Sequence, residues 1–97
     1  MILPGMMKFG LGRLVITPAV LEAIPAEEIC HAIDRHICGN WGKVSDAERA
    51  ANEVSLLVGS QLQSVYCADN GAKFFVRTTA DRTTTTVFLP ADSILNS

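Results

Sequence analysis

The chain has 97 residues, a net charge of −2, 48% apolar and 19% charged residues. That length builds one domain with a modest core, the composition excludes a disordered tail, and the charge excludes a global attraction to nucleic acid or acidic membranes. Charge is nevertheless uneven: from Thr17 to Glu53 seven acids face three bases, whereas from Asp69 onward three acids balance three bases.

Taken in chain order, Met1 to Met7 is broken by Pro4-Gly5 and too short for a signal peptide, so residues 1–7 read as a flexible leader. Met1, Met6 and Met7 each offer a start. Leu14-Val15-Ile16 after two glycines predicts a short strand. Thr17-Pro18 has the form of an N-cap followed by proline in the first turn, predicting a short helix to about Ala23; Pro25 opens a second. Along that second helix Ile29, Ile33 and Ile37, with Ala32, form an apolar stripe, and Gly39 supplies the left-handed residue that stops it.

Ser45-Asp46-Ala47-Glu48 matches a capping box and starts a third helix, ended by Gly59. Ala47, Ala50, Ala51, Val54, Leu57 and Val58 fall on one side of it and read as its buried face. Leu62 to Ala68, Lys73 to Thr79 and Thr83 to Leu89 read as strands, joined by Asn70-Gly71 as a two-residue turn and by Ala80 to Arg82. Residues 91–97 read as a flexible tail. The expected architecture is α+β: a single domain over 8–90, with two main helices and a short N-terminal one on a three- to four-stranded antiparallel sheet.

The two-residue turn sets Tyr66 opposite Phe75 and Ser64 opposite Arg77. Val65, Cys67, Phe74 and Val76 then share the face that carries the helices. Leu62, Tyr66, Phe75, Arg77, Val87 and Leu89 lie on the other face, an apolar surface expected to be an interface, in the simplest case that of a homodimer. A nucleic-acid platform of Tyr66, Phe75, Lys73 and Arg77 is the alternative use of the same face.

The segment from Arg35 to Gly42 concentrates the unusual residues, including the only tryptophan. It reads as a structural joint: Gly39 stops one helix, Trp41 pins the corner and Ser45 starts the next helix. Cys30, Asp34 and Cys38 span two helical turns, too far for all three to reach one ion, so no metal or other cofactor is expected and the cysteines read as buried and inert. Pairing any of the three cysteines with His31 or His36 yields no oxyanion site and no orienting third group, so no catalytic residue is assigned and the chain reads as non-enzymatic. Three cysteines without paired spacing, and no long apolar run, place it in the cytoplasm with no membrane partner.

Several blocks resemble a family of small uncharacterised bacterial proteins carried on plasmids and other mobile elements. They are Ile16-Thr17-Pro18-Ala19 with Leu21-Glu22-Ala23; Arg35-His36 with Gly39-Asn40-Trp41-Gly42; Asn52-Glu53, Val65-Tyr66 and Asp69-Asn70-Gly71; and Thr78-Thr79-Ala80-Asp81-Arg82 with Thr85-Thr86-Val87 and Leu89-Pro90. Two positions depart from the family pattern: Asn40 stands where an aspartate is usual, and Arg77 to Arg82 replaces an Ile-Thr-Glu-Ala-Asp-Arg run. The resemblance implies a mobile-element accessory protein acting by protein–protein contact, possible forms being inhibition of host restriction or of a CRISPR system. It implies no catalytic residue.

Overall fold

A computed structural model describes residues 6–92. Its elements run β1 (Arg13–Ile16), α1 (Pro18–Ala23), α2 (Ala26–Ile37), α3 (Asp46–Val58), β2 (Leu62–Cys67), β3 (Lys73–Thr78) and β4 (Thr84–Phe88). The fold is α+β, with one four-stranded sheet in the order β1-β4-β3-β2. Strands β2, β3 and β4 are antiparallel, as the hairpins require, but β1 joins β4 in parallel, so the sheet is mixed. The proposed leader over 1–7 and tail over 91–97 lie largely outside the described residues. Of the described parts, Met6 and Met7 are exposed, whereas Asp92 in the tail accepts from the Thr17 hydroxyl and the Leu89 amide; the domain begins at Lys8, whose amide donates to the Ile37 carbonyl.

The helix ends form where the sequence places them. Thr17 caps α1, and Ser45 and Glu48 exchange both bonds of a capping box on α3. After α2 the Gly39 amide bonds to the His36 carbonyl and the Asn40 amide to the Arg35 carbonyl, with Gly39 at φ +80. That is a Schellman closure, and it needs the left-handed residue.

Strand register differs from the expected one by a single residue at each hairpin. The Ala68 amide bonds to the Ala72 carbonyl, so the first loop has three residues, Asp69 to Gly71, with Gly71 at φ +90. Asn70 holds this longer loop: its side chain accepts from the Ala72 amide and donates to the Ala23 carbonyl. Across the second loop the Thr79 amide bonds to the Thr84 carbonyl, leaving four loop residues, organised by Asp81 accepting from Thr79 and Thr83. Tyr66 therefore opposes Phe74, Ser64 opposes Val76, and Val76 opposes Val87. A one-residue slip exchanges the faces of a strand. The face carrying α1 and α2 is built from Tyr66, Phe74, Val76 and Val87, packed on Val20, Ile24, Ile29, Ala32 and Ile33. Leu62 is also fully buried.

Helix α3 sits beside the sheet at the β2 edge and is attached by polar groups. The Asn52 side-chain amide donates to the Gln63 carbonyl (2.9 Å) and accepts from the Gln63 amide (3.2 Å), occupying the edge as a neighbouring strand would. One step along, Val65 exchanges bonds with the Trp41 carbonyl and the Lys43 amide. The outer edge of β2 is thus covered at two successive positions, which blocks edge-to-edge pairing. Gly42 makes this approach possible: at φ +76, a β-carbon there would lie 2.0 Å from the Val65 carbonyl oxygen. Truncating Asn52 to alanine leaves both backbone groups of Gln63 unpaired and is expected to cost about 2–3 kcal/mol in chemical unfolding.

Candidate interaction surface

The sequence-predicted interface does not assemble on one face. Leu62, Tyr66 and Val87 are 0%, 2% and 0% exposed and form part of the core, and Leu89 packs against that core. Phe75 and Arg77 lie on the opposite face. The proposed nucleic-acid platform separates in the same way: Tyr66 is buried with its hydroxyl on the Asn40 carbonyl, and burial pushes its phenol up to about 12. On the outer face Phe75 meets Phe88 with ring centroids 5.1 Å apart, Lys73 lies 5.8 Å from the Phe75 ring, and the Arg77 guanidinium covers Phe88 at 4.7 Å. Phe88 is only 5% exposed, so its ring offers no surface on which a base can stack.

The joint residues keep their expected roles. Trp41 is buried, stacked on Phe9 at 6.3 Å and edge-on to His36 at 5.7 Å, with its indole N–H donating to a Glu53 carboxylate oxygen at 2.8 Å. His36, one helical turn beyond Ile33, belongs to the buried stripe of α2 and is fully enclosed. Its Nδ1 meets the Ser64 hydroxyl and its Nε2 the Thr78 hydroxyl at 2.9 Å. Thr78 meets Thr85 at 2.8 Å, and Thr85 donates to the Leu11 carbonyl. Because Thr85 uses its proton on Leu11, it accepts from Thr78; Thr78 then accepts from the imidazole, which places the ring proton on Nε2 and makes Nδ1 the acceptor from Ser64. Ser64 and His36 have the chemistry of a nucleophile and its base, yet both are 0% exposed, so no substrate atom reaches the hydroxyl. Desolvation lowers the histidine to about 3, assisted by the nearby Arg82 charge, so the ring is neutral.

The cysteines differ from expectation: Cys30 and Cys67 are exposed and Cys38 is half-buried, all three free. Among the described residues no three His, Cys, Asp or Glu side chains come together as a metal set. A cleft of about 200 Å³ between α2 and the first hairpin is lined by Glu28, His31, Arg35, Cys67 and Asp69. It carries both signs of charge, and two of its groups already serve the fold: Glu28 accepts from the Asp69 amide, and the Arg35 guanidinium lies 4.8 Å from the Tyr66 ring centroid.

The largest departure from the sequence reading is α3. Its apolar side, expected in the core, faces solvent: Val54 is 55% exposed, Leu57 87% and Val58 68%, and Ala47, Ala50 and Ala51 are exposed as well. The side that faces the protein carries Asn52 and Ser55. Arg82 fixes the far end, donating to the Ser55 carbonyl at 2.9 Å and to the Ser60 carbonyl at 2.6 Å from the second loop. The periodicity finds an apolar face correctly but does not say what covers it. The signal for the true inner face was Asn52, a polar residue at the position directly opposite the apolar stripe. A shallow groove of about 480 Å³, lined by Lys8, Glu53, Val54, Leu56 and Leu57, runs along one margin of the exposed side.

Among the described residues no helix is long and apolar enough to cross a membrane. No family model, curated protein or solved structure matches this chain.

Proposed function

We propose that the chain is a non-enzymatic accessory protein that works by protein–protein contact, with the outward side of α3 as its contact surface. The observation that carries this reading is the run of Val54, Leu57 and Val58, each more than half exposed and continuous with three exposed alanines, on a well-capped helix held by polar anchors. An apolar surface of this kind on a small domain is characteristic of an interaction site. In the mobile-element setting that the sequence resemblance implies, inhibition of a host-defence complex is its most concrete form, and the acidic bias of the Thr17–Glu53 region suits an assembly that includes a basic, nucleic-acid-binding component. The nucleic-acid alternative is weaker, because Tyr66 is buried on the other face and half-buried Phe75 is left as the single aromatic of that platform.

The test is a plasmid-establishment assay in a restricting host. Wild-type protein is expected to raise establishment, and Val54→Glu/Leu57→Glu is expected to abolish the gain at equal protein level. Full protection by the double variant removes α3 as the working surface.

A further inference from the structure

We infer that the occupant of the α3 surface is a second copy of the same helix, packed antiparallel about a two-fold axis that crosses the outer seam midway between Ala50 and Val54. This rests on the reading of α3 as the contact surface and makes self-pairing, in place of direct contact with a host component, the use of that surface.

The argument starts from spacing. Ala47, Ala50, Val54 and Leu57 recur at intervals of three, four and three, the seam of a two-helix packing, and they lie on the side away from Asn52 and Ser55. Size is graded along this seam: both alanines are at the N-terminal end and both large residues at the C-terminal end. Two copies running in parallel would stack alanine on alanine and leucine on leucine, leaving a gap at one end and a crowded layer at the other. Reversing one helix sets Ala47 against Leu57 and Ala50 against Val54, and the two-fold repeats both layers. Every layer then pairs a small side chain with a large one, which permits close approach without a void. The chain itself supplies the complementary order.

Charge and area agree with this pairing. The seam contains no charged residue, and Glu53 at its margin has its carboxylate turned to the Trp41 indole. Antiparallel helices also set each acidic first turn, with Asp46 and Glu48, beside the partner's C-terminal end, the favourable arrangement of the two macrodipoles. The seam is four side chains long on each copy, two of them alanines, so the area it buries falls below the roughly 1,200 Å² of a stable specific interface and suits a weak, concentration-dependent dimer.

Sedimentation of the full chain across concentration decides the matter. The wild type is expected to pass from monomer to dimer as its concentration rises to about 200 µM, and Leu57→Glu to remain a folded monomer throughout. Orientation is read from mixed charges: Ala50→Lys and Val54→Glu chains are each expected to be monomeric alone and to form a one-to-one heterodimer when mixed, because position 50 faces position 54 only in the antiparallel pair. Two folded chains that fail to associate on mixing overturn the antiparallel geometry. A wild type that stays monomeric at every concentration, while the α3 double variant still loses protection in cells, overturns self-pairing and leaves the contact surface intact. A monomeric wild type together with a fully protective double variant overturns both.

Discussion

Replacing Trp41 with alanine is expected to destabilise the chain by about 3–5 kcal/mol, the range for deleting a large aromatic side chain from a core. The ring is 2% exposed and joins three parts of the fold: Phe9 of the N-terminal segment, His36 of α2, and Glu53 of α3. Its loss opens a cavity beside His36 and frees the Glu53 carboxylate that steadies α3. A loss of that size is a large part of the stability of a chain of this length. Urea unfolding of the variant measures it. A cost below about 1 kcal/mol, the level of an ordinary surface position, contradicts the role of Trp41 as the joint.

Acidification is the second large effect, and it originates in His36. In the folded chain the imidazole stays neutral down to about pH 3, whereas an unfolded chain protonates it from its ordinary value of 6.5 downward. Below pH 6.5 the unfolded state therefore binds the proton that the folded state refuses. Stability from this group is complete above that value and declines as pH falls, until the folded ring itself protonates near 3. From pH 7 to pH 5 the loss is about 2 kcal/mol, following roughly 1.4 kcal/mol per pH unit. Other shifted acids do not obscure this window. Glu48 is held low by hydrogen bonds from the Ser45 amide and hydroxyl, and Asp81 by the Thr83 and Thr79 hydroxyls, so what they contribute is present above the ordinary carboxylate range and is lost only as pH falls below it. Urea unfolding at pH 7 and pH 5 is expected to show the decline in wild type and a much smaller one in His36→Gln. Equal declines in both proteins would assign the acid sensitivity to another group.

Local signals in the sequence were sufficient for the elements and insufficient for their partners. Thr17 with Pro18, Ser45 with Glu48, and Gly39 each act within one helical turn, where backbone groups need nearby caps, and each appears where its residue type requires. Register depends on one loop residue. Asn70-Gly71 suits a two-residue turn, but the Asn70 side chain has a second use on the Ala23 carbonyl, a contact between elements that the dipeptide cannot reveal. Extending the loop by one residue moved Tyr66 to the helix-bearing face and removed it from the supposed interface. The parallel placement of β1 also depends on tertiary docking, seen in the Arg13 amide bonding to the Thr83 carbonyl and the Thr17 amide to the Val87 carbonyl.

The candidate surface was legible as a pattern and misread as a location. Ala47, Ala50, Val54 and Leu57 have the spacing of a packed helix face, and in an isolated small domain such a face ordinarily finds the core. Here the sheet's inner surface is already occupied by α1 and α2, whose Val20, Ile24, Ile29 and Ile33 cover Phe74, Val76 and Val87. Helix α3 is left at the β2 edge, where exposed backbone groups favour the polar Asn52 over an apolar anchor. His36 shows the converse: it occupies a core position in an otherwise apolar stripe, and the partners that make its burial tolerable, Ser64, Thr78 and Thr85, come from strands far along the chain.

The most direct measurement is the unfolding free energy of Leu57→Glu at sub-micromolar protein, where any pairing has dissociated. With Leu57 87% exposed on a helix attached through its other side, the variant is expected to match wild type within about 0.5 kcal/mol. A loss of several kcal/mol would place the apolar side of α3 in the core of the single chain and remove the contact surface on which the functional reading stands.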